Sequence, residues 1–571
     1  MFRSLIPTLA AAALLMSLAL PAKAQSVAGP YLAARSAASQ SDFEQAASFY
    51  SRALARDSGN PVLMESLLIS QLSLGRISEA QPVAELLADE GVSSQVAELI
   101  LTTNAIIDGD LAQFNDTKLS GDGIGPLVDG LVKAWANMGL GEVSSALEAF
   151  DDVAIRIGLD GFALYHKALA LASVGDFEGA EAIFSGEPSG GVVQTRRGVL
   201  ARAQVLSQLE RNDDAINMIE QAFSGSTDPE IEAVIASLQA GKAVPFTYVR
   251  KAQDGLAEVF FSVAAALRNE AAPEFTLLYG QVAVALRPDH IDALLLTAEL
   301  LETLKQYDAA ISVYRSVPAD NPAYHAAELG RADALRRSGR EEAAIEVLGQ
   351  LTRSHDQLAT VHSALGDALR QSERFEEAVS AYDRAVELNA ERGGTSWFLL
   401  YARAISYERT DQWELAEADF RAALELNPNQ PQVLNYLGYS LVEQKVKLSE
   451  ALEMIERAVA ASPDSGYIVD SLGWALYRLG RFQEAVPHME RAVELLPVDP
   501  VVNDHLGDVY WAVGRTREAE FQWMRALSFV DQGETAEDAD PDRIRRKLDL
   551  GLDQVLEEEG APPLKVVSDD G

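Results

Sequence analysis

A 34-residue periodicity in the second half of the chain constrains its fold more than any other feature. Counted from Ala257, successive repeats start after 34, 34, 34, 38, 34, 35 and 34 residues. The eighth position of each repeat is alanine or glycine, and the twentieth is a small residue throughout. Small side chains at matching sites let two backbones approach closely. Each repeat therefore predicts an antiparallel helix pair that buries its apolar face on its neighbours.

The pattern predicts an all-α fold, an α-solenoid superhelix of stacked helix pairs. Proline cannot continue a helix, and it ends the second helix of several repeats, at Pro288, Pro322, Pro428, Pro463 and Pro497. The segment DSLGWALYRLGRFQEAVPHMERAVELLP, which starts at Asp470, resembles the tetratricopeptide repeat in its Leu-Gly pair, its spaced alanines and its final proline. That resemblance implies a concave face lined by the first helix of each repeat.

The same 34-residue spacing divides the chain into parts. Residues 25–225 carry degenerate copies of the repeat, residues 226–256 break the rhythm as a junction, and residues 257–531 form the eight-repeat array. Residues 532–571 comprise an acidic connection, a capping helix from about Asp542 to Glu559 and a mobile tail. Repeat arrays need such caps because their last apolar face is otherwise open to water.

The first 24 residues have the features of a secretory signal. Arg3 precedes an apolar run from Leu5 to Leu20, and Ala22-Lys23-Ala24 is a small-x-small cleavage triplet. A retained membrane anchor is the rival interpretation, but this run is short for a bilayer. We expect a mature chain that starts at Gln25, has no transmembrane segment and is periplasmic or secreted. The chain has no cysteine that could carry a lipid anchor.

Composition excludes several function classes. The formal charge of −39 would repel a phosphate backbone, so we expect no nucleic-acid partner. Histidines are scattered, and nucleophile and phosphate-loop motifs are missing, which predicts no metal site, no cofactor and no catalytic residues. Asp504 and Asp508 stand four residues apart, with Asp470 one repeat earlier. These carboxylates keep acid–base catalysis open as an alternative.

A second stripe runs along the first helices, at positions 2, 5, 9 and 12 of each repeat. In the last four repeats it is rich in aromatic residues. Two interpretations remain open, because the rings either pack against the next repeat or form a peptide-binding groove. If they form a groove, Trp474 and Trp511 should be replaceable without unfolding. The candidate partner-binding residues are Tyr401, Asn435, Tyr439, Asp470, Trp474, Tyr477, Asp504, Asp508 and Trp511.

Residues 397–530 also resemble a subgroup of exported bacterial repeat proteins. Some of those relatives are lipoprotein adaptors for a carboxy-terminal processing protease and its cell-wall hydrolase substrates. The resemblance implies a non-enzymatic periplasmic scaffold that binds envelope proteins, with an envelope protease and its substrates as candidate partners. Two alternatives are a cell-wall or carbohydrate-active enzyme that uses the groove carboxylates, and a structural subunit of an export or outer-membrane assembly complex.

Overall fold

The computed structural model describes residues 27–115, 123–186, 195–225, 228–530, 539–561 and 564. Within these ranges the regular structure is helical, and consecutive helices pack as antiparallel pairs. The all-α solenoid prediction is confirmed. The predicted signal peptide, most of the acidic connection and most of the C-terminal tail lie outside the described residues. No helix in the described part of the chain is long and apolar enough to cross a membrane.

The chain divides into two compact units, and the boundary in the sequence, between Leu351 and Thr352, falls near the end of the helix Glu341–Ser354. The helices of the first unit, numbered α1 to α18 in chain order, are Ala28–Ser39, Phe43–Leu54, Pro61–Ser73, Ile77–Asp89, Gln95–Asp108, Pro126–Leu140, Val143–Ala154, Asp160–Ser173, Phe177–Phe184, Arg196–Gln208, Asn212–Ala222, Pro229–Gln239, Ala252–Leu267, Pro273–Leu286, Ile291–Thr303, Tyr307–Tyr314, Tyr324–Arg337 and Glu341–Ser354. A short 3-10 helix, Leu111–Phe114, follows α5.

The second unit contains five helix pairs and a C-terminal cap. Its helices, α19 to α30, are Ala359–Gln371, Phe375–Glu391, Trp397–Glu408, Trp413–Leu426, Pro431–Glu443, Leu448–Ala461, Gly466–Arg478, Phe482–Leu495, Pro500–Ala512, Thr516–Val530, Pro541–Leu550 and Leu552–Glu558. One continuous apolar core runs through these helices, from Val379 to Leu552.

The small residues of the repeat close the helix pairs, as their spacing predicts. A Cβ atom at Gly507 would lie 2.4 Å from the Trp523 indole, and one at Gly473 would lie 2.6 Å from Met489 Cγ. Both large side chains are fully buried. Glycine at position 8 therefore makes room for a large residue of the second helix, and this contact sets the distance between the paired helices.

The first unit is more than a linear stack, because its early helices pack on its later ones. Helices α3 and α5 contact α14, and α6 and α8 contact α13. Gln281 Nε2 donates to the Ser73 carbonyl at 2.8 Å, across 208 residues of sequence. The junction predicted at residues 226–256 thus lies inside one compact unit, and the division between units comes about a hundred residues later.

A buried polar cluster holds this fold-back together. Glu258, on α13, is fully buried and accepts hydrogen bonds from Arg197 on α10 and Tyr165 on α8, each at 2.8 Å to Oε1. His290 Nε2 lies 3.1 Å from the other carboxylate oxygen. Burial raises the pKa of Glu258, but Arg197 and His290 outweigh burial and hold that pKa well below its ordinary value. Glu258 is therefore held as a carboxylate chiefly by Arg197, since burial and the Arg197 charge lower the pKa of His290.

The C-terminal cap consists of two helices rather than the single predicted helix. Asp540 caps α29 by accepting from the Asp542 amide at 2.8 Å, and Pro541 occupies the first helical turn. Gly551, at φ 84° and ψ 154°, interrupts the helix before α30 begins. Ile544, Leu552 and Val555 are fully buried, and Ile544 and Leu552 belong to the apolar core of the last repeats.

Candidate partner-binding face of the C-terminal repeats

The nine predicted residues fall into two groups by exposure. Asp470, Tyr477, Asp504 and Asp508 are buried, and Asp508 is only 1% exposed. The other five side chains are partly exposed, namely Tyr401, Asn435, Tyr439, Trp474 and Trp511. All nine lie on the first helices of successive repeats, α21, α23, α25 and α27, as the spacing predicts.

The open part of the stripe is centred on α23, where one face carries Asn435, Tyr439 and Glu443 at intervals of four residues. The Oδ1 atom of Asn435 and the Oε1 atom of Glu443 are buried and accept no hydrogen bond within the described part of the chain. The other carboxylate oxygen of Glu443 lies 3.4 Å from Arg478. This face therefore has a partly exposed phenol beside two buried acceptor atoms.

Tyr401, one repeat earlier, packs among aromatic rings. Its ring centroid lies 6.0 Å from that of Tyr436, in an edge-to-face arrangement, and 6.1 Å from that of Phe420. Burial raises the pKa of Tyr401, and the Arg370 charge opposes that rise. Tyr401 therefore keeps its proton at neutral pH and can donate a hydrogen bond.

Trp474 is half-buried in a stack of rings. Its indole lies 3.9 Å from the His505 ring and 4.7 Å from the Tyr477 ring, close to parallel with both. His505 Nδ1 lies 3.1 Å from an oxygen of Asp470. Burial lowers the pKa of His505, but the Asp470 carboxylate outweighs burial and the net pKa is raised. Asp470 thus pairs with a histidine of the next repeat instead of facing the groove.

Asp504 and Asp508 bind a lysine of the capping helix. Lys547 Nζ is fully buried, at 2.8 Å from Asp504 Oδ2 and 2.6 Å from Asp508 Oδ1. Asp508 Oδ1 also accepts from Trp523 Nε1 at 2.9 Å. Burial and the neighbouring Asp508 raise the pKa of Asp504, while Lys547 opposes them. The pair is a buried ion cluster and not an open acid–base pair.

Trp511 lies against the bend of the cap. Its Nε1 donates to Asp553 at 2.9 Å, and a Cβ atom at Gly551 would lie 2.7 Å from the indole. The Trp511 and Trp523 ring centroids are 5.4 Å apart. The cap therefore covers part of Trp511, which leaves Tyr401, Asn435, Tyr439 and Trp474 as the more open part of the stripe.

These contacts correct the site prediction for Asp470, Tyr477, Asp504 and Asp508. Asp470 is covered by His505 of the next first helix, and Asp504 and Asp508 are covered by Lys547 of the cap. Tyr477, at position 12, packs between the Trp474 and Phe482 rings. These four side chains pack against neighbouring helices and do not line an open groove. For the other five, partner contact stays a prediction.

Sequence reasoning missed Lys547 and Glu443. Lys547 follows Ile544 by three residues and precedes Gly551 by four, so it lies on the apolar face of the predicted capping helix. A lysine on that apolar face needs a buried acidic partner, so its position in the sequence could have indicated the ion pair. Among the described residues, no group of three or more His, Asp or Glu side chains is arranged to hold a metal ion.

Comparison with known families identifies the repeat. Two family models described as "Tetratricopeptide repeat" match the chain. One matches residues 329–393, 401–466, 447–500 and 471–533, and the other matches residues 292–323. Together these matches to the tetratricopeptide repeat cover about 230 of the 571 residues. Tetratricopeptide repeats bind protein or peptide partners in many proteins, and parts of residues 292–533 share their repeat pattern.

Similar proteins include one curated relative and several solved structures. The TPR repeat-containing protein PA4667 of Pseudomonas aeruginosa is 28% identical over 188 residues, which cover 32% of this chain and 30% of that protein. The APC/C hetero-tetramer Cut9–Hcn1 matches at 13% identity over 91% of this chain and 96% of that one, with a TM-score of 0.37. YrrB, titled a TPR protein with an unusual peptide-binding site, matches at 19% identity over 34% and 92%, with a TM-score of 0.27.

Proposed function

We propose that this protein is a non-enzymatic, exported scaffold that binds other envelope proteins on the concave face of its C-terminal repeats. The observation that carries the proposal is the open stripe on α23 and its neighbours. Tyr401, Tyr439 and Trp474 supply partly exposed aromatic area there, and Asn435 supplies a buried acceptor atom without a partner. Aromatic side chains such as Tyr and Trp are enriched in protein-binding surfaces.

The carboxylates that kept the enzyme alternative open have structural partners. Asp504 and Asp508 share Lys547, and Asp470 pairs with His505. A general acid needs a proton to give and a route to its substrate. Buried carboxylates already bonded to cations supply neither, which supports a scaffold over a cell-wall or carbohydrate-active enzyme. No observation favours the alternative of an export or outer-membrane assembly subunit.

The proposed location rests on the first 24 residues, which have the charge, apolar run and cleavage triplet of a secretory signal. Because no cysteine follows the signal, we propose a periplasmic or secreted mature chain without a lipid anchor. An envelope protease and its substrates remain the proposed partner class. The intact mass of protein purified from the periplasmic fraction tests the location, and a chain that retains residues 1–24 would contradict it.

Site-specific photo-crosslinking in living cells tests the binding face. A photoreactive residue at position 439 should give a discrete adduct, whereas one at the exposed residue Glu453, on the second helix of the same repeat, should give none. The partner protein that crosslinks to position 439 is then identified and purified. Tyr439→Ala and Asn435→Ala should each weaken its binding at least tenfold, and Glu453→Ala should not. Equal crosslinking from both positions, or unchanged affinity in both groove variants, would refute the assignment.

A further inference from the structure

One arginine of the stripe on the first helices has no carboxylate within hydrogen-bond distance in the described part of the chain. Arg370 is position 12 of α19, and Asp367, the acid that it faces, lies 3.7 Å from Nη2. Arg403, in the next repeat, lies 2.7 Å from Asp419 and 2.8 Å from Asp383. A charge that is partly withdrawn from water normally needs such a partner. Arg370 therefore has donor groups that the folded chain does not use.

A buried tyrosine fixes the orientation of the Arg370 guanidinium. Tyr382, on α20, is fully buried behind Gly366, where a Cβ atom would lie 2.6 Å from the ring. Its hydroxyl accepts a hydrogen bond from Arg370 Nε at 3.1 Å and donates one to Asp367 Oδ1 at 2.7 Å. Neither Nη group of Arg370 donates a hydrogen bond to a described residue, and 24% of the side chain is exposed. The protein thus holds one edge of the guanidinium and leaves the other edge to a partner.

Tyr401 supplies a second donor beside this edge. It is position 5 of α21, the next first helix, which contacts α19. The Arg370 charge reaches the phenol, since it opposes the rise that burial causes in the pKa of Tyr401. The Tyr401 hydroxyl makes no hydrogen bond to a described residue. Adjoining first helices therefore present a cation and a neutral hydroxyl donor side by side.

A carboxylate fits these two donors better than other common anions. The planar guanidinium offers paired N–H groups that match the two oxygens of a carboxylate. One cation in a chain of formal charge −39 matches a single negative charge, whereas a phosphate dianion would need more cations. Most of the Arg370 side chain is covered, so a carboxylate at the end of one or two methylene groups reaches it while the backbone of the partner stays outside.

We propose that Arg370 and Tyr401 bind the side-chain carboxylate of an aspartate or glutamate in an extended segment of the partner protein. This inference rests on the proposed function, because the same segment continues over Tyr439 and Trp474. It adds a sequence requirement, namely an acidic residue at one end of the segment and apolar residues over the aromatic rings. Tyr382 is a positioning residue, since it holds Arg370 and does not touch the partner.

The first probe is a phage library of random 12-residue peptides, displayed at the amino terminus of a coat protein so that no peptide has a free carboxyl end. Peptides that bind the mature chain but not Tyr439→Ala define the set that depends on the proposed face. These peptides should share an Asp or Glu at a fixed distance from apolar residues, and selection on Arg370→Gln should not enrich that acid. A set without a common acidic residue would overturn this inference and leave the proposed function standing. No peptide that depends on Tyr439 would overturn both.

The second probe is a fluorescein-labelled synthetic peptide of the selected sequence, amidated at its carboxyl end. In fluorescence anisotropy, the change of its acid to the matching amide and Arg370→Gln in the protein should each weaken binding at least tenfold. The two changes together should weaken binding little more than either alone, because they remove the same contact. Arg384→Gln is the matched control, at a partly exposed arginine of α20 that pairs with Glu387, and it should leave binding unchanged. Independent, multiplying losses would overturn the proposal.

Two further measurements separate recognition from folding and from capture of a chain end. Tyr401→Phe removes one oxygen atom and keeps the packed ring, so it carries the test if Arg370→Gln lowers the Tm. It should weaken the acidic peptide at least threefold and leave the amide peptide unchanged. An amide peptide that regains full affinity when its carboxyl end is free would show that the site binds a chain end, and would overturn the assignment to a side chain.

Discussion

Removal of the Lys547 ammonium should destabilise the C-terminal unit more than removal of any exposed cation on the same helix. Lys547→Met keeps the length and apolar stem of the side chain, so it isolates the charge. The substitution leaves Asp504 and Asp508 buried, at 4% and 1% exposure, without their shared cation. Breaking a buried ion pair by removing one partner costs about 3–5 kcal/mol.

The expected shift in thermal unfolding follows from the size of the unit. For 150–250 residues, about 1 kcal/mol lowers Tm by roughly 2–4 °C, so Lys547→Met should lower it by roughly 6–20 °C. Differential scanning calorimetry gives the Tm, and hydrogen exchange at residues 541–558 shows whether the cap opens first. Arg545→Met is the matched control, because Arg545 is half exposed on the same helix and pairs with the exposed Asp542. It should shift Tm by less than about 2 °C.

The destabilisation should shrink as the pH falls. Without Lys547, burial and repulsion from Asp508 raise the pKa of the Asp504 carboxyl in the folded state further above the value of about 3.9 in the unfolded chain. Protonation then favours the folded state, so the deficit is complete at neutral pH and diminishes towards pH 4. A Lys547→Met variant with the Tm of the unmodified chain at pH 7, or a deficit independent of pH, would refute the buried cluster.

Three further predictions test the packing and the charges. Gly507→Ala should destabilise the folded protein by roughly 1–3 kcal/mol, because its Cβ would overlap a buried indole. Gly349→Ala, in a helix with open space around this glycine, should stabilise it by about 0.5–1 kcal/mol. Urea unfolding measures both changes. The pKa of His505 is raised in the folded state, so protonated His505 stabilises the fold fully below about pH 6.5. This stabilisation is lost as the pH rises through the folded-state pKa. The Tm above pH 6.5 should therefore fall more steeply in the unmodified chain than in Asp470→Asn. Glu258→Gln should lower the Tm of the first unit by an amount that reflects up to roughly 3–5 kcal/mol, since it removes the fully buried carboxylate that pairs with Arg197 and leaves Arg197 only Asp292. An unchanged calorimetric transition would contradict the buried cluster.

The repeat spacing predicted local structure well because helix pairing depends on residues close in sequence. Gly473 and Gly507 meet second-helix side chains only 16 residues further on, so one 34-residue window contains the contact. Asp540 and Pro541 likewise mark the start of the cap through neighbouring residues alone. The bend at Gly551 was missed because glycine is tolerated inside helices, and only its observed backbone angles reveal the interruption.

The candidate site was predicted less well because its contacts join distant residues. Lys547 reaches Asp504 and Asp508 across 43 and 39 positions, and Glu258 meets Tyr165 across 93. Periodicity assigns a residue to a helix face, but it does not show what covers that face. Periodicity likewise did not show that the cap bonds to Trp511 and packs on it, and the prediction that Trp511 is replaceable without unfolding stays a prediction.

Equivalent positions of the repeat thus have different roles, set by the element that follows them. Position 5 of α25, Asp470, pairs with a histidine of the next repeat, whereas position 5 of α27, Asp504, pairs with a lysine of the cap. Position 9 of α10, counted from Arg196, is Gln204, which accepts a hydrogen bond from the Thr247 amide of the chain itself. Position 9 of α23, Tyr439, keeps a partly exposed side chain. Binding capacity in this solenoid therefore depends on which first helices are left uncovered, and the sequence of a repeat alone does not determine it.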